Sequence, residues 1–258
     1  MKRKVTNAER RQRDEMRREG LRVGAVYEKR LEKLRRKELK RVLGIALDYQ
    51  VGALPDVIAE NIDESGYLPK WWQGLWMQAG TPYAEDVAKW LRESKAVPER
   101  DVWLSQLRTY ATTRAGNEIT IVTGTWKDSL IKIVRAIMES DLGMGIEKLT
   151  RMVYEDYLAT LEKWQCRRIA QTETMIGMAD AGDMAAKSLS IHFTKQWVIS
   201  GLGNTRASHE LMDGLIVDED EPFVLPGGMM MYPHDTKMGA DASEIINCAC
   251  DCIRRPAR

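Results

Sequence analysis

At Ile191 the apolar pattern of this chain changes period, and that change limits the folds open to it. Upstream, apolar residues recur at helical spacing. Val23, Tyr27, Leu31 and Leu34 stand four, four and three residues apart, which puts them on one helical face. Leu130, Val134, Ile137 and Met138 repeat that spacing further on. Downstream, the segments are short and strand-like. "TKQWVIS" carries Trp197, Val198 and Ile199, and "GLIVDEDEPFVLPGGMMMYP" reads as two short strands around an acidic turn, then a Pro-Gly-Gly turn. "EIINCACDCI" reads as a last strand. The expected class is α+β, with a mainly helical N-terminal two-thirds and a small β-rich C-terminal module.

Three regions are expected: a basic helical arm over 1–50, a Trp-rich helical region over 51–120, and a third region over 121–258. The third divides into helices over 126–190 and the β-rich module over 191–258. Residues 1–20 hold almost no apolar side chain, which predicts a frayed helix or disorder. The following helix should reach about Tyr49, where Gly52 and Pro55 stop it. Asp86–Glu93 and Asp101–Thr112 read as helical, with Pro82 and Pro98 at helix starts or turns. The tryptophans at 71, 72, 76, 90 and 103 suit packing, since an indole buries a large area, and base stacking is their functional rival. Thr125 and Asp128 have the layout of a capping box opening a helix, which Gly143 and Gly145 close. Further helices are expected over about 146–165 and 167–189. Small Ala and Gly residues in the last allow close helix packing.

The net charge of +1 hides an asymmetry. Residues 1–41 hold 17 Lys/Arg against 7 Asp/Glu, a net +10, and the remainder carries a net −9. A basic arm on an acidic body suits an anionic partner, and DNA is the usual one because phosphates release counterions to Lys and Arg. Lys2, Arg3, Lys4, Arg10, Arg11, Arg13, Arg17, Arg18, Arg35, Arg36 and Lys37 are the candidate contacts. A solvated helix whose charges confer solubility is the alternative. No apolar run reaches membrane-spanning length, and the basic N-terminus lacks the apolar stretch of a signal peptide. The chain reads as one made and kept in a cytosol, with no membrane partner.

Three of the four cysteines, Cys248, Cys250 and Cys252, alternate near the C-terminus. On a strand they would share one face. Neighbours two apart on one strand are poorly placed for a disulfide. Zinc needs thiolates and imidazoles in a tetrahedron, and a Cys-x-Cys pair supplies two ligands. His209 and His234 could complete the set, with His209, Cys248 and Cys250 as the candidate metal ligands; reduced packing cysteines are the alternative. Arg206, His209 and Asp213 recur at helical spacing and could do acid–base work, or form a hydrogen-bonded cluster fixing the turn at Gly214. His192 reads as structural. No phosphate-binding GxxxxGK[ST] loop, GxSxG or HExxH is present.

Several phrases stand in an order that resembles the C-terminal domain of tailed-phage minor head proteins typified by protein F of phage Mu. They are "RRIAQTETMIGMADAG", "KQWVISGLGNTRASHELMDGLIVDEDEPF", "PGG", "YPHD" and "GADASEIINCAC". The matching positions are Thr172, Glu173, Trp197, Arg206, His209, Asp213, Gly214, Phe223, Pro233, Asp235, Glu244, Asn247, Cys248 and Cys250. The chain departs from the pattern at Gln171, Ala249 and Gly201–Asn204, which removes charged side chains. The resemblance implies a head-morphogenesis protein without enzymatic activity. Its place would be at the portal vertex of procapsid and virion, inside the head, after assembly in the host cytoplasm. The implied partners are the portal protein and the major capsid or scaffold protein, with DNA at the basic arm. The rival reading is a metal-dependent nuclease or transferase using Arg206, His209 and Asp213. No cofactor is expected beyond the zinc option.

Overall fold

A computed structural model describes residues 2–92, 100–200 and 205–257, without the side chains of 115–117. Pro98 and the run Gly201–Asn204 lie outside the described residues. The helices are α1 (Asn7–Ala46), α2 (Leu54–Asn61), α3 (Leu68–Arg92), α4 (Arg100–Ser140), α5 (Ile146–Asp156) and α6 (Glu162–Ser188). A π-helical turn over Tyr157–Leu161 joins the last two. Then come β1 (Phe193–Val198), α7 (Ala207–Met212), β2 (Ile216–Asp218), β3 (Phe223–Leu225), β4 (Gly228–Met230), α8 (Ala242–Ile245) and β5 (Asp251–Pro256). The fold is α+β, mainly helical up to a small C-terminal module of antiparallel strands.

The chain forms two compact units. One comprises Met1–Ala25, Gly74–Ala111 and Arg168–Arg258; the other comprises Val26–Gln73 and Thr112–Arg167. The second unit has a core in which Leu39, Val42, Leu54, Ile58, Trp126, Leu130, Val134, Leu149, Val153 and Tyr157 meet. Inside it Arg35 makes a two-pronged bond to Glu64, 2.9 and 3.0 Å long, and stacks 4.7 Å over the Trp126 ring. The Tyr67 and Thr123 hydroxyls donate to the same carboxylate.

In the first unit, glycines of α6 admit large neighbours. A Cβ at Gly177 would lie 2.8 Å from the Trp76 ring. Of the five tryptophans read as packing residues, Trp76 and Trp103 here and Trp71 and Trp72 in the second unit are buried, and Trp90 is half-buried. The sheet runs β2-β1-β5, all antiparallel, with Trp197 opposite Cys252 and Lys195 opposite Val217. β3 and β4 form a separate hairpin closed by Pro226 and Gly227.

Four local expectations are corrected. Residues 7–20 are helix, not frayed. The Thr6 hydroxyl accepts the Glu9 N–H at 3.2 Å, and the Glu9 carboxylate accepts the Thr6 N–H at 2.8 Å, a reciprocal capping box. Thr125 does not open a helix; it lies within α4, its hydroxyl donating to the Ile121 carbonyl at 2.9 Å. Pro82 lies inside α3, where burial of Tyr83, Ala84 and Val87 outweighs its cost of about 3 kcal/mol. Cys248 and Cys250 are not on a strand with Cys252. α8 occupies the start of "EIINCACDCI", Asn247 takes a left-handed φ of 57°, and β5 begins only at Asp251.

Candidate functional site

The chemistry-bearing side chains of the first unit gather where α7 meets the segment ahead of β5. α7 is short and presents His209, 1% exposed, toward the module's interior. The Trp197 ring meets the imidazole edge-on at 5.3 Å, which gives the histidine an apolar wall, and Phe223 in turn packs edge-on against Trp197 at 5.1 Å. Its Nε2 lies 2.9 Å from a Glu244 carboxylate oxygen, which also accepts the Ser208 hydroxyl at 3.0 Å. Its Nδ1 lies 3.3 Å from Cys250 Sγ and 3.5 Å from Cys248 Sγ. These three donor atoms lie within 4.8 Å of one another. The turn after β4 brings in His234, whose Nε2 meets the Cys250 carbonyl at 3.1 Å.

The two thiols are not equivalent. The hydrogen bond from Cys250 holds Cys248 well below the usual thiol range against the opposing effect of burial, helped by His234 and His209. The Cys250 thiol is pushed up by the same hydrogen bond and by burial. Cys252 is buried apart from the pair on β5, its pKa raised by burial.

The other motif residues support this centre without lining it. Arg206 donates to the Ile246 carbonyl. Asp213 accepts the Ile199 N–H at 3.1 Å and the Arg10 guanidinium at 2.5 Å. Arg206, His209 and Asp213 therefore face different partners, since Arg206 immediately precedes α7 and Asp213 immediately follows it. Gly214 has φ 78°, and a Cβ there would lie 2.6 Å from the Arg3 carbonyl, so a bare backbone is required. Asp235 accepts the N–H groups of Met231 and Lys237, each at 2.9 Å, fixing the turn after Pro233. The Thr172 hydroxyl faces the Asn247 N–H at 3.5 Å, and Glu173 is buried on α6. His192, read as structural, ion-pairs with Asp218 and Glu219 at the surface, which raises its pKa.

The candidate contacts of the basic arm have different surroundings. Arg13, Arg17 and Arg35 are buried. Arg10 pairs with Asp213, Arg36 with Glu162, Arg3 with Glu9, and Lys2 donates to the Leu211 carbonyl. Lys4, Arg11, Arg18 and Lys37 are exposed.

Sequence reasoning missed a groove of about 340 Å³ in the first unit, lined by Glu9, Gln12, Arg13, Trp90, Arg254 and Arg255 among others. Arg13 stacks 3.7 Å over the Trp90 ring and donates to the Tyr83 hydroxyl at 3.2 Å. Tyr83 in turn donates to Asp251 at 2.5 Å. Arg255 binds Glu9 at 2.5 Å and Gln196 at 2.7 Å. Arg254 is 2% exposed, and its Nε, Nη1 and Nη2 lack hydrogen-bond partners; the Asp183 carboxylate stands 3.6 Å away.

No family model matches the chain, and no solved structure matches it. Among curated proteins, an NAD(+)--arginine ADP-ribosyltransferase EFV of Enterococcus faecalis (strain ATCC 700802 / V583) is 33% identical over 114 residues. The match covers 43% of this chain and 22% of the relative, so the chain spans about a fifth of that protein's length. This relative overturns the expectation of a structural head protein without enzymatic activity: the curated similarity is to a transferase. Among the described residues, no helix is long and apolar enough to cross a membrane.

Proposed function

We propose that the chain serves ADP-ribosyl transfer, with the groove beside Trp90 as the site of the nucleotide donor. The single observation that carries this reading is Arg254. Arg254 stands in the wall of a groove that also holds Arg13 and Arg255; three nitrogens of its buried guanidinium lack hydrogen bonds, with the Asp183 carboxylate 3.6 Å away and the Tyr232 ring at 5.6 Å. Buried donors of this kind call for an acceptor, and a guanidinium fork matches the paired oxygens of a diphosphate. Trp90 offers an aromatic face, and the groove volume falls within the range of about 300–1,000 Å³ typical of ligand sites. The similarity to an NAD(+)--arginine ADP-ribosyltransferase supplies the reaction class.

In such a transfer the bond between ribose and nicotinamide breaks. A bond forms between the same ribose carbon and a guanidine nitrogen of the acceptor, and the acceptor releases one proton. Positive charge develops on the ribose as nicotinamide leaves. Glu9 is the carboxylate of the groove. Burial pushes its pKa up, but the Thr6 N–H and Arg255 hold it down at about 2, so it stays ionised to face that charge. The test is titration of the purified chain with NAD(+) by calorimetry, together with nicotinamide release in the presence of an arginine-like acceptor. Binding that weakens at least about tenfold in Arg255→Ala, with nicotinamide release, supports the reading. Absence of both at millimolar NAD(+) sinks it.

A second reading is favoured by the 22% coverage of the relative. The shared stretch would then accompany a transferase without performing the reaction. NAD(+) would fail to bind, and the folded chain would instead associate with a catalytic domain supplied separately.

A further inference from the structure

We propose that His209, Cys248, Cys250 and His234 form a mononuclear zinc site that pins the C-terminal module together. The spacing of His209, Cys248 and Cys250 is that of three donors around a single tetrahedral ion. With Zn–S of about 2.3 Å and Zn–N of about 2.0–2.1 Å, tetrahedral geometry puts an imidazole nitrogen about 3.5 Å from each sulfur. His209 Nδ1 lies 3.3 and 3.5 Å from the two sulfurs. Disulfide pairing is the other use for adjacent thiols, and all four cysteines are free.

The fourth donor is His234. Its Nδ1 is buried, with the Cys248 thiol as its neighbour, while its Nε2 is engaged by the Cys250 carbonyl at 3.1 Å; it stands outside the three donor atoms that lie within 4.8 Å of one another, so the ion has to draw it in. The same division holds at His209, where the Glu244 carboxylate takes Nε2 and leaves Nδ1 to the sulfurs. Metal-bound histidines have this signature: the second ring nitrogen donates to a carboxylate or a backbone carbonyl, which fixes the tautomer and aims the other lone pair at the ion. Backbone geometry agrees. His234 and Asn247 both hold left-handed φ values, 72° and 57°, next to the donors. Such strain in residues other than glycine persists where the surroundings over-determine it.

Two thiolates and two imidazoles select zinc over harder cations. Every donor residue is buried, which makes the site a closed structural centre rather than an open catalytic one. Its place explains its use. α7, the turn at Pro233 and the segment before β5 carry little regular structure, and one ion ties all three to the sheet. The site shares no residue with the Trp90 groove, so it stands or falls independently of the transferase reading.

The experiment is metal analysis of the full chain purified from zinc-supplemented medium, without added chelator. One zinc per chain is expected. Removing it should lower the thermal midpoint, and cobalt reloading should give the visible absorption of a tetrahedral cobalt–thiolate centre. Cys250→Ser should lose the ion, whereas Cys252→Ser and Cys166→Ser should keep it. His234→Ala should change the cobalt spectrum. If Cys250→Ser fails to fold, cobalt titration of the chelator-treated wild-type chain decides alone, because absent visible bands overturn the proposal. So would zinc far below one per chain in folded protein, iron in its place, or an unaltered cobalt spectrum in His234→Ala.

Discussion

Nε2 of His209 lies 2.9 Å from Oε2 of Glu244, and both side chains are buried. A carboxylate accepts and does not donate, so the imidazole proton sits on Nε2 and the lone pair of Nδ1 faces Cys248 and Cys250. The contact converts a residue on α8 into the device that aims a residue on α7. Glu244→Ala should therefore weaken zinc binding by about 10–100-fold, as loss of a carboxylate behind a metal-bound histidine does. Competition against a chromophoric chelator reads the change, and Glu244→Gln should recover part of it. Equal affinities for wild type and Glu244→Ala would show that His209 is oriented without Glu244, by packing against Trp197.

In the second unit, Arg35 and Glu64 are 1% and 0% exposed at their side chains and are joined by two hydrogen bonds. Removing one partner strands the other charge in an apolar core. Glu64→Leu should cost about 3–5 kcal/mol in urea denaturation. The double variant Arg35→Met/Glu64→Leu should recover much of that loss, because replacing both partners removes the stranded charge. A double variant no better than the single would mean that Tyr67 and Thr123, left without their acceptor, carry the penalty.

Two helical glycines should respond with opposite signs. At Gly177 a new Cβ would meet the Trp76 ring at 2.8 Å, and at Gly124 nothing lies within 4 Å. Gly177→Ala should destabilise by about 1–3 kcal/mol through overpacking. Gly124→Ala should stabilise by about 0.5–1 kcal/mol, since alanine loses less backbone entropy in a helix. Thermal midpoints moving the same way in both would refute the close approach of α3 and α6 at Trp76.

The helical stretches were legible because their apolar spacing is local. Tyr27 and Leu31 are fully buried on α1, as a four-residue interval demands. The class change near Ile191 was legible for the same reason. Residues 1–20 misled because buried Arg13 and Arg17 do not register as core, although Thr6-x-x-Glu9 was a readable capping signal. The alternating cysteines misled through a period of two: the spacing that suits a strand here spans an irregular segment after Asn247. His209 and the cysteines were named together from residue type, but the partition of ring nitrogens depends on Glu244 and on a carbonyl, which no pattern encodes. The groove left no local mark. It exists because Glu9 and Arg13 of α1 come beside Arg254 and Arg255 of β5, more than two hundred residues away.

That long-range pairing gives the acid response of the first unit. The Glu9 pKa falls from 4.5 to about 2: burial opposes the shift, and the Thr6 N–H, the Arg255 guanidinium and the Thr6 hydroxyl overcome it. A carboxylate whose pKa is lower folded than unfolded binds fewer protons in the native state. Its contribution to stability is complete above the unfolded value of 4.5 and disappears as pH falls toward about 2. Glu9→Gln removes the charge at every pH, so its deficit against wild type should be largest near neutral pH and shrink through that window. Urea midpoints of both proteins across the range read this directly. A deficit that stays constant down to the lowest pH would assign the loss to the Thr6 cap, which glutamine supports less well, and not to the ion pair with Arg255.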